Sequence, residues 1–401
     1  MRILDTKNFT VQGFKAWGIH CGIKKTDKKD LAIIYSDREA AVAGVFTRNK
    51  VKAAPILLDM VRVKSGKGQA IIANSGCANA CTGKRGLADA KAMAEIAARE
   101  LALKPEAVYV ASTGVIGDYL SLSKIETGVT TAVGLLAANG WEQAAEAIMT
   151  TDIYPKMHIV QEEIGGKMVT VGGIAKGSGM IHPDMATMLC FIVTDALVST
   201  PVLKKELAAL TEKYFNNITV DGDTSTNDTI LCMANGAAGN KKMAPGSKDL
   251  KKFQACMDAV VKSLAMQVVR DGEGATKFVE ISVRNAKNPV EAKRAAMSVA
   301  KSPLVKTALF GEDANWGRIM AVLGACGIDM DESRTDIYFG KTRLVEKGLG
   351  QGKAAEREAG AALKQREIHI AIDLHKGKGQ STIWTCDLSS EYIKINAAYR
   401  S

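Results

Sequence analysis

The 401-residue chain is poor in aromatic side chains, which make up only 5% of its residues. Its formal net charge is +10, but lysines and arginines alternate with acidic residues, as in residues 353–359. Proteins that bind nucleic acid commonly combine a basic surface with aromatic side chains that stack on bases. Because no basic run here is interleaved with aromatics, we expect a solvated charged surface, no nucleic-acid partner and a mild attraction for small anionic substrates.

Long apolar runs and a cysteine framework are also missing. No stretch reaches the length of a membrane span, and the first residues contain no apolar core typical of a secretory signal. The eight cysteines are scattered, and only Cys77 and Cys81 lie close together. One Cys-x3-Cys pair without nearby histidines does not predict a zinc site, and scattered thiols are typical of a reducing compartment. We therefore expect a cytoplasmic protein with no membrane partner and no bound metal.

Histidine is scarce, which restricts the choice of a general base. The five histidines are His20, His158, His182, His369 and His375. None of them lies in a sequence setting diagnostic of a serine-histidine-aspartate triad. Only His182 is near a candidate nucleophile, Thr187, and loop histidines are more often surface residues than catalytic bases. Nucleophilic chemistry in this chain therefore needs a different base.

The most informative segment joins a glycine-rich loop to an apolar run. Four glycines lie within residues 172–179, where they permit turns and close approach of the backbone. Residues 188–194 are nearly all apolar, as in a buried strand. Thr187 lies at the junction, where a rigid element could hold a nucleophile accurately, although threonine is also an ordinary residue beside a strand.

Hydrophobic periodicity predicts alternating strands and helices, which favours an α/β (α+β) fold. Strands are predicted at residues 31–35, 70–73, 108–110, 188–194, 277–283, 335–339 and 368–374. Helices are predicted at residues 87–101, 200–210, 247–270, 290–297 and 354–363, with a further helical stretch after Trp316. Residues 159–171 predict a hairpin that turns at Gly165-Gly166. Although no linker marks a boundary, we predict a larger α/β domain at 1–280 and a smaller one at 281–401.

Two motifs resemble ligand-binding sequences only in part. Residues 221–228 alternate carboxylates as a cation-binding loop does, but they lack the spacing of an EF-hand. Side-chain hydrogen bonds that form turns are therefore favoured over calcium binding. The glycines within residues 172–179 match neither a P-loop nor a dinucleotide fingerprint, so phosphate binding is not expected.

Several other motifs resemble those of one enzyme family, in that family's order and over essentially the whole chain. The segment from Lys176 to Leu189 is similar to the self-cleavage motif of the ornithine acetyltransferase family, also called glutamate N-acetyltransferase, of arginine biosynthesis. The other matching segments are residues 74–83, 112–117, 149–152, 221–228, 311–318 and 395–401. The resemblance implies a layered helix-sheet sandwich with a smaller C-terminal α/β domain, whose tail returns to the active site.

The resemblance also implies self-cleavage between Ala186 and Thr187 into chains 1–186 and 187–401, which assemble as an α2β2 heterotetramer. The Thr187 hydroxyl would attack the Ala186 carbonyl, an N-to-O acyl shift would give an ester, and water would open it. Thr187 would then carry its own base, because an α-amine with a pKa of about 7.7 to 8.0 can accept the hydroxyl proton. Thr113 and Gly114 match the family's oxyanion-hole position, although a strand-ending turn is the alternative interpretation of that pair.

The family's substrate-binding positions match Thr150, Lys176, Thr187, Glu273, Asn396 and Ser401. Lys176 suits a carboxylate and Glu273 suits an ammonium, although an exposed turn acid is the alternative for Glu273. Ser401 replaces the threonine common at the family's last position and keeps the hydroxyl. The implied reaction moves acetyl from N-acetylornithine to glutamate through an acetyl-Thr187 ester, with no cofactor. Family members with and without acetyl-coenzyme A as a second donor share these motifs, so that partner stays open.

Two other functions are compatible with the sequence. An amidase or aminopeptidase would share the N-terminal nucleophile but transfer the acyl group to water, whatever the glutamate concentration. A glycine-rich ligand-binding or regulatory protein would never cleave, and its mature form would contain one 401-residue chain.

Overall fold

The computed structural model describes residues 1–182 and 188–398. By their contacts these residues form two compact units. The first unit contains Met1–Met180, 188–216 and Asp223–Val268, and the second contains 181–182, 217–222 and 269–398. The domain boundary near residue 280, inferred from the sequence, stays a prediction.

In the described part of the first unit, nine strands form one sheet. The strands are β1 (Arg2–Ile3), β2 (Phe14–Ile19), β3 (Leu31–Phe46), β4 (Lys67–Cys77), β5 (Val108–Val115), β6 (Lys156–Ile164), β7 (Lys167–Lys176), β8 (Leu189–Thr194) and β9 (Thr229–Ala234). The helices are α1 (Ala54–Arg62), α2 (Gly83–Glu100), α3 (Leu122–Leu135), α4 (Trp141–Ile148), α5 (Thr200–Lys213) and α6 (Lys248–Arg270). The last two residues of α6 belong to the second unit.

The long strand β3 organises this sheet, whose order is β1-β6-β7-β8-β9-β3-β4-β5. One edge of β3 pairs with β4, while β2 and β9 pair with successive parts of its other edge. The pairs β4–β5 and β8–β9 are parallel, and the remaining pairs are antiparallel. The parallel pairs bring the starts of β8 and β9, and the ends of β4 and β5, side by side.

Successive side chains of a strand point to opposite faces of the sheet. Both faces of this sheet are buried, each in its own apolar core. The face that carries Leu31 and Ile33 belongs to one apolar core, with residues of α2 and α3. The face that carries Ala32 and Ile34 belongs to a second core, with α4 and its fully buried Trp141. Helices therefore cover both faces, and the layered helix-sheet sandwich predicted from the sequence is confirmed.

The second unit contains a smaller mixed sheet of order β13-β12-β11-β14-β10-β15. Its strands are β10 (Phe278–Ala286), β11 (Asp336–Phe339), β12 (Thr342–Glu346), β13 (Leu349–Gly350), β14 (Glu367–Asp373) and β15 (Gly379–Cys386). Its other helices are α7 (Pro289–Lys301), α8 (Pro303–Phe310), α9 (Trp316–Ala325), α10 (Gly352–Leu363) and α11 (Ser390–Ala397). Ile281 of β10 and Ile370 of β14 share an apolar core with Ala296 of α7 and Leu323 of α9.

Each strand and helix predicted from the sequence is present, in most cases with wider bounds. The predicted hairpin is β6–β7, in which Ile164 faces Lys167 across Gly165-Gly166. Both glycines have positive φ, +60° and +75°, as a two-residue type I′ turn requires. Within residues 1–182 and 188–398, no helix is long and apolar enough to cross a membrane. The cytoplasmic location stays a prediction.

Candidate active site

Lys176 ends β7 and brings together two of the predicted site residues in the first unit. Its side chain is buried, with 3% of its surface exposed. The Lys176 Nζ donates to Thr150 Oγ1 at 2.8 Å and to Thr113 Oγ1 at 3.4 Å. Two threonines far apart in sequence therefore lie beside one buried ammonium.

Thr113 and Gly114 lie near the end of β5, beside the end of β4. Gly114 has φ of +132°, and an added Cβ would lie 2.4 Å from the carbonyl carbon of Gly76. Only glycine fits this close approach of two parallel strands. The Thr113 hydroxyl accepts a hydrogen bond from Lys176 and so retains its own proton as a donor. A hydroxyl donor beside a glycine backbone suits the stabilisation of a developing oxyanion.

Asp152, which was not predicted as a site residue, holds the lysine cluster in place. Its Oδ1 accepts from Lys156 Nζ at 2.6 Å and from the Gly177 amide at 2.7 Å, and its Oδ2 accepts from the Thr150 amide at 2.9 Å. Burial alone would raise the pKa of Asp152, but Lys176 and Lys156 hold it well below its usual range. The ionised carboxylate therefore fixes the backbone on both sides of the candidate site.

Lys24 is a second residue of this cluster that was not predicted from the sequence. Its Nζ donates to the carbonyl of Lys29 at 2.6 Å and to that of Met149, next to Thr150, at 2.8 Å. Burial, opposed by the charge of Asp30 and assisted by that of Lys176, lowers the pKa of Lys24 to about 8. Lys24, Lys156 and Lys176 outnumber the two nearby buried carboxylates, Asp152 and Asp30. This excess of positive charge in a buried setting suits a substrate carboxylate.

Glu273 and Asn396, two of the predicted substrate-binding residues, lie in the second unit. Asn396, on α11, donates through Nδ2 to Glu273 Oε2 at 2.7 Å. Glu273 is 7% exposed, so it is a buried acid and not the exposed turn acid considered as an alternative. Its carboxylate is oriented by an amide donor and retains further lone pairs for a cation.

The candidate nucleophile Thr187 lies outside the described residues, as do Ala186 and Ser401. The described chain resumes at Met188, which is 1% exposed, and enters β8 at Leu189. Leu189 faces Lys176 in the β7–β8 register. The roles of Thr187, Ala186 and Ser401 stay predictions.

His182 and the acidic loop have other partners. In the second unit, His182 Nδ1 lies 3.4 Å from Thr219 Oγ1, and its Nε2 lies 3.4 Å from Lys301 Nζ. Asp221, at the start of the acidic loop, accepts from the Ile181 amide at 3.0 Å. Among the described residues, no group of three or more histidine, cysteine or acidic side chains could hold a metal ion.

A model of the ArgJ family matches residues 15–401. The chain belongs to the ArgJ family. An "arginine biosynthesis bifunctional protein ArgJ" of Geobacter sulfurreducens is 48% identical over 98% of this chain and 100% of that protein. A protein of the same name from Caldanaerobacter subterraneus is also 48% identical, over 100% of both chains. The family predicted from the motifs, with its place in arginine biosynthesis, is therefore confirmed.

A crystal structure of an ArgJ protein from Bacillus halodurans is similar to part of this chain, at 41% sequence identity and a TM-score of 0.50. The match covers 98% of that chain but only 52% of this ArgJ family member. The solved chain is therefore about half as long as the chain described here.

Proposed function

We propose that this ArgJ family enzyme transfers the acetyl group of N-acetylornithine to glutamate through an ester on Thr187. The observation that carries the proposal is the convergence of Thr113, Thr150 and Lys176 in one buried cluster at the end of β7. The motifs around these residues and around Thr187 are the ones that resemble the acetyltransferase family. No cofactor takes part.

Self-cleavage between Ala186 and Thr187 is the first step of this proposal. The Thr187 hydroxyl attacks the Ala186 carbonyl, and the acyl group moves from nitrogen to oxygen, which breaks the peptide bond and frees the Thr187 α-amine. Water then hydrolyses the ester and releases the Thr187 hydroxyl and the Ala186 carboxylate. The half-length crystal chain of the Bacillus halodurans relative supports this division, because residues 187–401 are a little over half of this chain. The two products, 1–186 and 187–401, then assemble as an α2β2 heterotetramer.

Acetyl transfer uses the amine and hydroxyl of one residue. The Thr187 α-amine takes the hydroxyl proton as Oγ attacks the acetyl carbonyl, and the ornithine nitrogen leaves with that proton when the carbon-nitrogen bond breaks. The neutral amine of glutamate then attacks the acetyl ester, and the threonine oxygen leaves and recovers a proton. Each half-reaction passes through a tetrahedral oxyanion, for which Thr113 and Gly114 supply the hydroxyl and backbone donors.

Charge determines which part of the substrate each residue recognises. Lys176, supported by Lys24 and Lys156, binds a substrate carboxylate, and Thr150 positions Lys176 through its hydroxyl. Glu273, oriented by Asn396, binds a substrate ammonium. Ornithine and glutamate both carry a carboxylate, but only ornithine carries a second ammonium. Ser401 provides a further hydroxyl for substrate.

The relatives are named bifunctional proteins, which supports a second acetyl donor for this enzyme. We propose that acetyl-coenzyme A also acetylates Thr187, so that the same ester serves both donors. Glutamate acetylation from acetyl-coenzyme A and from N-acetylornithine would then be lost together when Thr187 is replaced.

Steady-state kinetics on the purified wild-type enzyme and its variants test this mechanism. We expect N-acetylornithine consumption to require glutamate, with parallel double-reciprocal lines, and Thr187→Ala to abolish it. Thr113→Val should lower kcat by about 100- to 1,000-fold, whereas Thr113→Ser, which keeps the hydroxyl, should retain most activity. Hydrolysis at a rate independent of glutamate would contradict the transferase and favour the amidase.

A further inference from the structure

The strands β8 and β9 are parallel, and the residues that precede them lie side by side. Leu189 faces Thr229 in the register, so Met188 and Asp228 stand at the same edge of the sheet. The Met188 carbonyl accepts from the Thr229 amide at 3.0 Å, and the Met188 amide donates to Asp228 Oδ1 at 3.1 Å. Both backbone polar groups of Met188 are therefore hydrogen-bonded, the carbonyl to the backbone of Thr229 and the amide to the side chain of Asp228.

The Asp228 carboxyl is fully buried, with 0% of the residue exposed. Among the described residues, its Oδ2 has no hydrogen-bond partner. Burial raises the pKa of Asp228 well above its usual range, although the Met188 amide and the charge of Lys176 lower it.

The backbone of Asp228 is fixed as firmly as its side chain. Its carbonyl accepts from the Thr47 amide at 3.1 Å, directly after β3 ends at Phe46. A rigid residue thus holds the Met188 amide, and Met188 follows Thr187 in the chain. An error of about 1 Å in the position of a reacting group can cost about 100-fold in rate, so this support has a kinetic consequence.

We propose that Asp228 is a positioning residue for Thr187, and that its carboxyl holds the Met188 amide so that the threonine hydroxyl is aligned for self-cleavage. The inference rests on the proposed self-cleavage and gives a purpose to the end of the 221–228 motif, which acetyl transfer alone leaves unused. Asp228 acts through Met188 and is not itself the attacking group or its base.

Two substitutions separate this role from others. Asp228→Asn keeps an oxygen that accepts from Met188 and carries no charge, so its precursor should cleave at a rate close to wild type. Asp228→Ala removes the acceptor, and its precursor should cleave about ten- to a hundredfold more slowly. Asp223→Ala, at an exposed position of the same loop, is the matched control and should cleave like wild type.

The rates are measured by following newly translated precursor on denaturing gels, with intact mass to identify the products and thermal melting to check folding. A folded Asp228→Ala precursor that cleaves like wild type would overturn the proposal. Asp228→Asn that cleaves as slowly as Asp228→Ala would also overturn it, because an ionised carboxylate would then be required. If the alanine variant fails to fold, the asparagine variant decides alone. Failure of the wild-type chain to cleave would instead refute the proposed function itself.

Discussion

Asp152 is the residue on which the lysine cluster of the first unit depends most. Its carboxylate compensates Lys156 and Lys176, whose side chains are 0% and 3% exposed. Removing one partner of a buried ion pair leaves an uncompensated charge and typically costs about 3–5 kcal/mol. We expect Asp152→Asn, introduced into the uncut Thr187→Ala chain, to lower the free energy of unfolding by about that amount, measured by urea denaturation. Glu39→Gln, which breaks an exposed pair with Lys67, should cost about 1 kcal/mol or less.

The same residue predicts a direction of pH dependence. Because Lys176 and Lys156 hold the pKa of Asp152 below its ordinary value of 3.8, the ionised form stabilises the folded state. This contribution is fully present above pH 3.8 and is lost as the pH falls below it toward the lower folded-state pKa. The stability difference between the Thr187→Ala chain and its Asp152→Asn variant should therefore stay constant from pH 8 to about pH 5. A difference that shrinks within that range would contradict the ion-pair assignment.

The site residues that belong to sequence motifs could be predicted from the sequence. Those placed in the site only by contacts between distant parts of the chain could not. Thr113, Thr150 and Lys176 were predicted because each lies in a segment similar to the acetyltransferase family. Asp152 closes the same 149–152 motif, so the signal was present but its buried hydrogen bonds were not visible. Lys24 reaches Met149 across more than a hundred residues, and no local pattern predicts such a contact.

At the scale of elements, turns and periodicity predicted most of the fold. The Gly165-Gly166 pair predicted the β6–β7 hairpin because two-residue turns need positive φ. The predicted strand 31–35 is too short, since exposed polar residues at 37–39 interrupt its apolar pattern. Pairing of residues 41–46 with β9 extends β3 beyond that interruption. Tertiary pairing of this kind is not encoded in a local window.

The sheet of the first unit should keep the products of self-cleavage together. β7 ends before the proposed cut, whereas β8 and β9 follow it, and these strands are hydrogen-bonded to β7 and β3 respectively. The residues of β8 and β9 are buried along their whole length. We expect the two chains to co-elute from a size-exclusion column in native buffer and to separate in denaturant. Two products that separate without denaturant would contradict this arrangement.

At the scale of the whole molecule, membership of the ArgJ family is a separate matter from cleavage of the Ala186-Thr187 bond. The ArgJ family match covers residues 15–401 and would hold for a chain that never cleaves. The proposed mechanism requires more, because Thr187 has no base until its α-amine is free. The two compact units that the structure describes are independent of this question, since the Ala186-Thr187 bond lies outside the described residues.

The state of the Ala186-Thr187 bond in the mature protein tests the account most directly. Intact-mass spectrometry with N-terminal sequencing should find two chains, one of which begins at Thr187, and Thr187→Ala should leave a single uncut chain. A wild-type protein that transfers acetyl from N-acetylornithine to glutamate while it remains one 401-residue chain would contradict the account at its centre.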